Sequence, residues 1–570
     1  MDEGRHEARC RVPVVVRDLR ESRPDMCRFG RAFVFSVSAA LAIALTTRTV
    51  TSLSGTDVVT YHNDLARTGQ NLSETILTPA SVGVSTFGKL AVFPADGKVD
   101  AQPLHLSSVG IPGGGVHNVL YVATEHDTVY AMDAVTGAVL WRTSLLGSGE
   151  TTSDTRGCSQ VVPEIGITAT PVIDRSRGPN GVIYVVAMSK NAAGQYFQRL
   201  HALDAALGTE LFGGPQTVQA SFPGSGAGSS NGSVVFDARQ YEERAGLLLL
   251  NGQIITTWTS HCDIDPYTGW IIAYDAGTLA RSSVLNVTPN GSEGGIWMAG
   301  AGPAADAQGN VYLLDGNGTF DTTLTAAGFP NLGDFGNAFL KIATAGGLSV
   351  ADYFATFDTV FASNADTDLG SGGALVLPDL VDATGRTRHL AVGAGKDGHI
   401  YVVDRDSMGK WNASSNQIYQ DIAGALGGSV FSMPAYFDGN LYYGASGRQL
   451  KAFSITSARL SSAPTSQTAV SFGYPGTTPS VSASGTSTGI VWAVQNGTQA
   501  VLHAYDARDL TRELYNSTLA PNSRDAFGAG NKFITPTVAN GRVYVGTTTG
   551  VGVFGTFGPS APTGLRIISP

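Results

Sequence analysis

One stretch of the sequence decides the fold: VLYVATEHDTVYAMDAVTGAVLWRTSL, from Val119 to Leu145. Apolar residues alternate with small or polar ones along it, which is typical of antiparallel β-strands joined by tight turns. Related stretches recur down the chain, each with a Tyr-rich strand followed by Tyr or His, Ala, an apolar residue and Asp. Their first strands are expected to begin near eight positions: Pro103, Pro171, Leu248, Pro303, Ala374, Pro434, Pro479 and Pro536.

This repeat predicts an all-β fold, an eight-bladed β-propeller of four-stranded antiparallel blades. A lone four-stranded sheet cannot bury both faces, whereas sheets stacked around an axis bury them against each other. The last repeat, Phe533 to Phe557, has room for only three strands, so a strand within Gly88–Gly97 is expected to complete it and close the ring. The expected boundaries are 1–54 for a targeting segment, 55–87 for an N-terminal extension, 88–557 for the propeller and 558–570 for a linker or tail.

Composition excludes several other classes of protein. With 71 Gly and 25 Pro in 570 residues and only 14% charged residues, the chain has too many turn formers and too few charges for a helical bundle or coiled coil. Its 42% hydrophobic content excludes wholesale disorder. The formal net charge is -10 and no block of Lys and Arg is present, so no nucleic-acid partner is expected.

The N-terminal residues have the layout of a secretory signal. Arg28 and Arg31 precede an apolar run, Ala32–Leu45, that is followed by small and polar residues. Translation from Met26 would explain the long arginine-rich lead. Spanning a bilayer takes about 20 apolar residues, so we expect no transmembrane span in the mature chain, with an uncleaved N-terminal anchor as the alternative. We therefore expect a secreted protein, extracellular or periplasmic, and a monomer.

Removal of this signal would leave two of the four cysteines, Cys158 and Cys262. Two cysteines in an oxidising compartment usually pair, so a disulfide between them is predicted. The bond would close a loop of about a hundred residues and contribute on the order of 4 kcal/mol through loop entropy. Neither cysteine lies in a recognisable nucleophile motif, which argues against a catalytic thiol.

The element AMDAVTGAVLW, Ala131 to Trp141, resembles the pyrroloquinoline-quinone (PQQ) repeat, in which Ala-x-Asp-x-x-x-Gly-x-x-x-Trp follows a Tyr-rich strand. Ala202–Asp204 with Gly208 and Phe212 is a second copy. The sequence is also similar to a group of secreted bacterial propeller proteins that open with a segment like Thr60–Pro79 and have no established activity. On this resemblance the repeat is structural: the Trp packs between blades, and the Asp caps the turn.

The resemblance also raises the question of cofactors. The quinoprotein alcohol dehydrogenases of the family hold PQQ between a disulfide of two adjacent cysteines and a stacking Trp. They bind Ca²⁺ through carboxylate and Asn ligands and use an Asp base. This chain has no adjacent Cys pair and no Cys-x-x-Cys-His haem motif, so the sequence alone assigns no cofactor, and PQQ with Ca²⁺ stays an open alternative.

Candidate site residues lie in two sets of loops. In a four-stranded blade, the loop from the second to the third strand and the loop to the next blade emerge at the same end of the ring. The richest loop is Thr259–Trp270, and the predicted disulfide would fix it to another. Solvated loop residues without a role are the alternative. The candidate ligand-binding residues are Glu125, His126, Glu164, His261, Asp263, Tyr267, Trp297, Lys396 and Arg448.

A second candidate is a metal loop. Asn364, Asp366 and Asp368 alternate like the oxygen ligands of a Ca²⁺ loop, although the next glycine, Gly370, comes one place late for an EF-hand. A simple turn is the alternative.

The resulting hypothesis is a binding or scaffold module for an extracellular polysaccharide or protein partner, with no catalytic residue assigned. The alternative is a PQQ- and Ca²⁺-dependent oxidoreductase at the channel mouth. A glycan-cleaving enzyme comes third, since it needs two carboxyl groups about 5 to 10 Å apart, a distance that sequence does not supply.

Overall fold

The computed structural model describes residues 55–558, and strands make up nearly all of their regular structure. The described residues belong to one compact unit. The expected targeting segment, with Cys10 and Cys27, and the tail beyond residue 558 lie outside them. Within residues 55–558, no helix is long and apolar enough to cross a membrane.

Eight sheets of four or five strands follow one another along the described residues. In chain order the strands of sheets one and two are Leu104–Ile111, Gly115–Ala123, Thr128–Asp133 and Val139–Ser144, then Glu150–Thr152, Val172–Asp174, Val182–Asn191, Tyr196–Asp204 and Gln216–Thr217. Those of sheets three and four are Tyr241–Glu242, Leu248–Leu250, Gln253–Ser260, Trp270–Asp275 and Arg281–Asn286, then Ala304–Ala305, Val311–Leu314, Phe339–Ala343 and Ser349–Phe354.

The remaining sheets continue the series. Sheets five and six contain Leu375–Val376, Leu390–Gly393, Ile400–Asp404 and Gln420–Ile422, then Ala435–Phe437, Asn440–Gly444, Arg448–Thr456, Arg459–Leu460 and Ser466–Phe472. Sheets seven and eight contain Gln70–Asn71, Ser480–Ser484, Ser487–Gln495, Val501–Asp506 and Asp509–Asn516, then Phe87–Pro94, Thr537–Ala539, Arg542–Thr547 and Gly550–Thr556. Smaller elements are Ser221–Pro223, Ser229–Ser230, Ser233–Val235, Leu380–Val381 and Thr387–Arg388, the helix Thr359–Asn364, and the 3-10 turns His261–Asp263, Met298–Gly300 and Pro521–Ser523.

The eight predicted strand starts agree closely with the sheets. Each lies at, or one residue before, the beginning of a short strand in a different sheet. Proline directly precedes six of these eight strands, because it has no N–H to give to the ladder and is tolerated at a strand's edge. The observed starts are Leu104, Val172, Leu248, Ala304, Leu375, Ala435, Ser480 and Thr537.

Two sheets take a strand from the N-terminal part of the chain. Phe87–Pro94 pairs antiparallel with Gly550–Thr556, so the three C-terminal strands gain their fourth strand as predicted. Gln70–Asn71 pairs parallel with Ser480–Ser484, an addition to sheet seven that the repeat did not predict.

The repeat residues connect neighbouring sheets. Trp141 of sheet one donates its indole N–H to the carbonyl of Ala205 at 3.1 Å and covers Gly208, where an added Cβ would lie 2.5 Å from the indole. Asp133 accepts backbone N–H bonds from Val135 and Thr136, so it caps its turn as expected. Tyrosines of second strands donate to alanine carbonyls of the next sheet in Tyr121–Ala205, Tyr184–Ala276, Tyr442–Ala507 and Tyr544–Ala134, and the last pair joins sheet eight to sheet one.

The hydrophobic core consists of clusters shared between sheets. Buried side chains of sheets one and two form one cluster, sheets two and three another, and sheets three to six a large third one. Sheets six and seven, seven and eight, and finally eight and one share the others. In the last of these, Leu120 and Val122 of sheet one pack with Tyr544 and Val551 of sheet eight.

A short N-terminal segment, residues 58–71, touches all eight sheets. Its backbone or side chains bond, in each sheet, to the repeat's first strand, meaning the strand that begins at the predicted start, or to the residue just before that strand. Because the segment is only 14 residues long, the eight first strands must lie close around it. The partners, in sheet order, are His105, Ile173, Leu247, Ala305, Val376, Tyr436, Val481 and Val538.

Arg67 anchors this segment. Its side chain is fully buried and donates hydrogen bonds to the carbonyl oxygens of Pro303, Tyr61 and Leu247 and to the hydroxyl of Thr60. Burial lowers the pKa of the Arg67 guanidinium to about 10, so it stays charged at neutral pH.

We expect Arg67→Met to destabilise the protein by about 3 kcal/mol or more, because several buried acceptors would lose their donor. The measurement is the midpoint of denaturant unfolding. Arg508→Met is the matched control, since Arg508 is exposed and only its backbone is hydrogen-bonded. Equal midpoints for the two variants would contradict an anchoring role.

Candidate functional site

A cavity of about 470 Å³, called here the main cavity, lies among the loops that were expected to hold a site. Almost all of its lining follows a second strand or precedes a first strand, as the blade argument predicts. Its polar and aromatic lining residues are Gln160, Glu242, Thr259, Ser260, Asp263, Tyr267, Trp297, Asn317, Asp366, Thr367, Asp368, Lys396, Ser429, Phe431 and Tyr474, together with Cys158 and Cys262.

The predicted disulfide forms part of the cavity wall. Cys158 and Cys262 are bonded, with their Cα atoms 5.5 Å apart and a sequence separation of 104 residues. The bond fixes the loop between Glu150–Thr152 and Val172–Asp174 of sheet two to the loop after Gln253–Ser260 of sheet three. The disulfide prediction is therefore confirmed.

Several residues at or next to the cavity lining have left-handed backbone conformations. Cys262, Asp263, Met298, Ala299 and Asp366 are not glycines, yet they have φ angles of 51°, 52°, 47°, 52° and 55°. Such left-handed conformations cost free energy and persist where the surroundings hold them, often at functional sites. They place the side chains of Asp263, Trp297 and Asp366 around one space.

Aromatic rings form one wall. The ring of Trp297 meets those of Phe533 and Phe431 edge to face, with centroids 5.1 and 6.3 Å apart, and Phe431 packs against Tyr474 at 5.3 Å. Edge-to-face packing of this kind fixes an aromatic ring in one orientation. Trp297 is only half-buried, so part of its indole is left for a ligand.

A network of one lysine, two aspartates and one asparagine forms another wall. The Lys396 ammonium lies 2.6 Å from Asp368 and also contacts Asp366, while the Asn317 amide N–H₂ donates to Asp366 at 2.8 Å. Burial raises the pKa of Asp368 above its ordinary value despite Lys396. Burial would also raise the pKa of Asp366, but Lys396 and Asn317 hold it below its ordinary value. The two carboxyl groups thus differ in basicity.

Glu242 and Asn317 carry oxygens without a partner. Glu242 Oε2 lies 3.1 Å from Nδ1 of the buried His261, but Glu242 Oε1 makes no hydrogen bond within residues 55–558. The same holds for Asn317 Oδ1, because the amide nitrogen is the atom turned to Asp366. Buried acceptors of this kind usually have a partner, so both oxygens are suited to a ligand or a cation.

Four of the nine predicted ligand-binding residues meet in the main cavity: Asp263, Tyr267, Trp297 and Lys396. Tyr267 donates its hydroxyl to Asp263 at 2.8 Å, and burial raises the pKa of this phenol well above its ordinary value. His261 is buried behind Glu242 and does not line the cavity.

The other four lie elsewhere. Glu125 is fully buried and accepts hydrogen bonds from Gly166 and Thr168. His126 bonds to Glu164 at 3.0 Å, and Glu164 lines a second cavity of about 450 Å³ next to the main one. Arg448 is exposed beside Gly428 and lines neither cavity.

The proposed calcium loop is only partly at the site. Asp366 and Asp368 line the main cavity, but Lys396 lies between them, and Asn364 ends the helix Thr359–Asn364 outside the lining. Across residues 55–558, no three His, Cys, Asp or Glu side chains come close enough together to hold a metal ion by themselves. A cation would therefore need the Asn317 amide or oxygens supplied by a ligand.

Comparisons with known proteins agree with this fold. Residues 52–260 match the PQQ-repeat family model described as outer membrane protein assembly factor BamB. The quinohemoprotein alcohol dehydrogenase of Comamonas testosteroni is 15% identical, with a TM-score of 0.57 over 89% of this chain and 81% of that one. A quinohemoprotein alcohol dehydrogenase of Pseudomonas putida HK5 is 13% identical, with a TM-score of 0.55 over 89% of this chain and 81% of that one. A europium-containing methanol dehydrogenase is 13% identical, with a TM-score of 0.55 over 88% of this chain and 98% of that one.

No curated protein sequence matches the chain. At these identities the likeness to solved structures concerns the fold. The protein is nearly all β, built from antiparallel sheets of the kind found in propellers. The PQQ-repeat family model covers residues 52–260, and the likeness to the solved quinoprotein structures supports the same kind of fold over most of the chain.

Proposed function

We propose that the eight sheets form a closed eight-bladed ring and that the main cavity is the cofactor site of a quinone-dependent oxidoreductase. Ring closure is supported by the Tyr544–Ala134 bond between sheets eight and one, by the core that these two sheets share, and by the N-terminal segment that touches every sheet.

One observation carries the assignment of an oxidoreductase. A disulfide, a half-buried Trp, a carboxylate and an amide with unpartnered oxygens, and a buried Asp paired with Lys all line the same cavity. These are the residue types with which the family's quinoprotein alcohol dehydrogenases hold PQQ and Ca²⁺. The chain departs from them at the disulfide, which joins cysteines 104 residues apart instead of neighbours.

The donor set fits a hard cation. Glu242 Oε1 and Asn317 Oδ1 are oxygens, which Ca²⁺ and similar cations prefer, and both are buried without a partner in the described part of the chain. Glu242 and Asn317 alone do not complete a cation's coordination, so the bound cofactor would have to contribute further ligands. The europium in one structural neighbour makes a trivalent cation a second metal to test here, particularly since the cavity has four acidic side chains and one lysine.

The residues of the chain would divide the work as follows. Trp297 and the disulfide would bind the flat faces of the cofactor, and Glu242 with Asn317 would hold the cation. Asp368 would accept the hydroxyl proton of an alcohol, because its raised pKa makes it the better base, and Lys396 would keep that carboxyl group in place. PQQ, when bound, supplies the two-electron acceptor for alcohol oxidation.

The first test is reconstitution of the full chain with PQQ and either Ca²⁺ or Eu³⁺. We expect quinone absorbance to stay with the protein after desalting, Eu³⁺ luminescence to rise with binding, and a dye to be reduced when a primary alcohol is added. Failure to retain PQQ with either cation would overturn the proposal.

Two variant pairs locate the site. Trp297→Ala should abolish quinone retention, whereas Trp411→Phe should not, because Trp411 packs against Phe320 away from the cavity. Glu242→Gln should weaken cation binding, whereas Glu243→Gln should have little effect. Glu243 is the neighbouring buried carboxyl group, but it accepts a hydrogen bond from the backbone N–H of Thr257 at 3.3 Å and does not line the main cavity.

Binding of an extracellular saccharide without chemistry is the second candidate. The aromatic wall of Trp297, Phe431 and Tyr474 beside several carboxylates favours it, since sugar rings stack on aromatic faces and their hydroxyls bond to acids. Glycan-array binding that Trp297→Ala abolishes, in a protein that retains no quinone, would select this function.

A further inference from the structure

The second cavity, next to the main one, contains a lysine without a countercharge. Its volume is about 450 Å³, and its charged lining residues are Asp96, Lys98, Glu164 and Lys532. Both cavities include Gln160 in their lining, so the loop that carries Cys158 separates them. The second cavity plays no part in the proposed redox site.

Lys532 is the unusual member of this set. Its ammonium bonds only to neutral oxygens, Gln160 Oε1 at 3.1 Å and the carbonyl of Ser159 at 3.5 Å. No carboxylate lies within ion-pair distance of it among residues 55–558, although the side chain is half-buried. A partly buried ammonium is normally paired, so its neutral surroundings suggest that an anion completes them.

The other charged groups of the cavity already have partners. Lys98 pairs with the buried Asp100 at 3.0 Å. Asp96 accepts hydrogen bonds from the hydroxyls of Thr124 and Thr128, and Glu164 accepts one from Thr152 and pairs with His126. Lys532 is therefore the one cationic lining residue of this cavity that has no carboxylate partner among residues 55–558.

The pKa of Lys532 agrees with this geometry. Burial is the largest cause that lowers the pKa of Lys532. The positive charges of Lys98 and Arg244 lower it further, whereas the negative charge of Asp100 raises it. Two neighbouring cations thus make the electrostatic potential at this ammonium more positive, and a bound anion would offset their repulsion.

We propose that the second cavity binds a small hydroxylated carboxylate, with Lys532 as the ion partner of the carboxylate group. One free ammonium matches one negative charge, which favours a carboxylate over doubly charged phosphate. The amide of Asn496 and the hydroxyl of Thr548 also line the cavity and would bond to hydroxyl groups. The volume accommodates a molecule the size of a hexuronic acid.

Isothermal titration of the oxidised full chain with D-glucuronate, D-glucose and inorganic phosphate tests this. We expect glucuronate to bind and glucose not to, with an affinity that falls as salt is raised. Lys532→Met should weaken glucuronate binding at least tenfold, Lys532→Arg should retain most of it, and Lys410→Met, which removes a lysine beside Phe329 far from this lining, should change nothing.

Three outcomes would overturn the proposal: no glucuronate binding by the natural protein, equal binding by Lys532→Met, or tighter binding of phosphate than of carboxylate. Trp297→Ala keeps the test separate from the redox site. It should leave glucuronate binding intact while abolishing quinone retention, so either proposal can fail without the other. Loss of glucuronate binding in Trp297→Ala would place the carboxylate in the main cavity and overturn the assignment to the second.

Discussion

Replacing Asp368 by Asn is expected to lower the rate of alcohol-dependent dye reduction by a factor on the order of 10² to 10⁴ in protein reconstituted with PQQ and a cation. Oxidation of an alcohol to a carbonyl compound requires a group that takes up the hydroxyl proton. Asp368 is the buried carboxyl group of the cavity with a raised pKa, and an asparagine amide is not basic. The effect should fall on kcat, with quinone retention unchanged.

The pH dependence gives this prediction a second readout. Only the ionised carboxylate accepts a proton, so the rate should rise with pH through the raised pKa of Asp368 and reach a plateau above it. Asp368→Asn should lose this rise. A variant that keeps both the rate and the pH profile would exclude Asp368 as the base.

Asp397→Asn is the matched control. Asp397 follows Lys396 in the chain, and burial raises its pKa as well, but it accepts a hydrogen bond from Tyr401 and does not line the main cavity. Its replacement should leave the rate and the pH profile close to those of the natural protein. The comparison therefore shows whether the loss of rate depends on the position of Asp368 in the cavity or follows from replacing any buried carboxyl group.

The strands could be predicted from the sequence because each is a local pattern. Alternating apolar residues, a proline at the strand's start and a turn glycine such as Gly137 act over a few residues, and the eight predicted starts agree with the sheets. The pairing of Phe87–Pro94 with Gly550–Thr556 could also be predicted, because the last repeat was one strand short. The role of residues 58–71 could not, since their contacts with eight sheets leave no period in the sequence.

The site was predicted less completely because a loop's sequence does not show which way each side chain points. Asp263 and Tyr267 face the main cavity, whereas His261 in the same loop turns inward to Glu242. Glu242 itself was missed because it belongs to a short strand, Tyr241–Glu242, where no functional loop was expected. Asn317 stands in a Gly-Asn-Gly turn, and only the structure reveals that its oxygen lacks a partner.

Removal of the disulfide should have the largest effect on stability. We expect the double variant Cys158→Ser and Cys262→Ser to be less stable than the natural protein by about 4 kcal/mol, because the bond closes a loop with a sequence separation of 104 residues and restricts the unfolded chain. The measurement is the denaturant midpoint under non-reducing conditions. Dithiothreitol should shift the natural protein to the same midpoint and leave the variant unchanged.

The same variant should also weaken binding in both cavities. Cys158 and Gln160 line the main cavity, and Ser159, Gln160 and Glu164 line the second, so one loop forms a wall of each. Without Cys262 as its anchor, this loop would lose its fixed position, and Lys532 would lose its contacts to Ser159 and Gln160. Quinone retention and glucuronate affinity should therefore fall together in the double variant, although Trp297→Ala and Lys532→Met each affect only one of them. If the double variant kept both binding activities, the strained backbone at Asp263 and the packing of Trp297 against Phe533 would be sufficient to hold the site, and the disulfide would contribute only to stability.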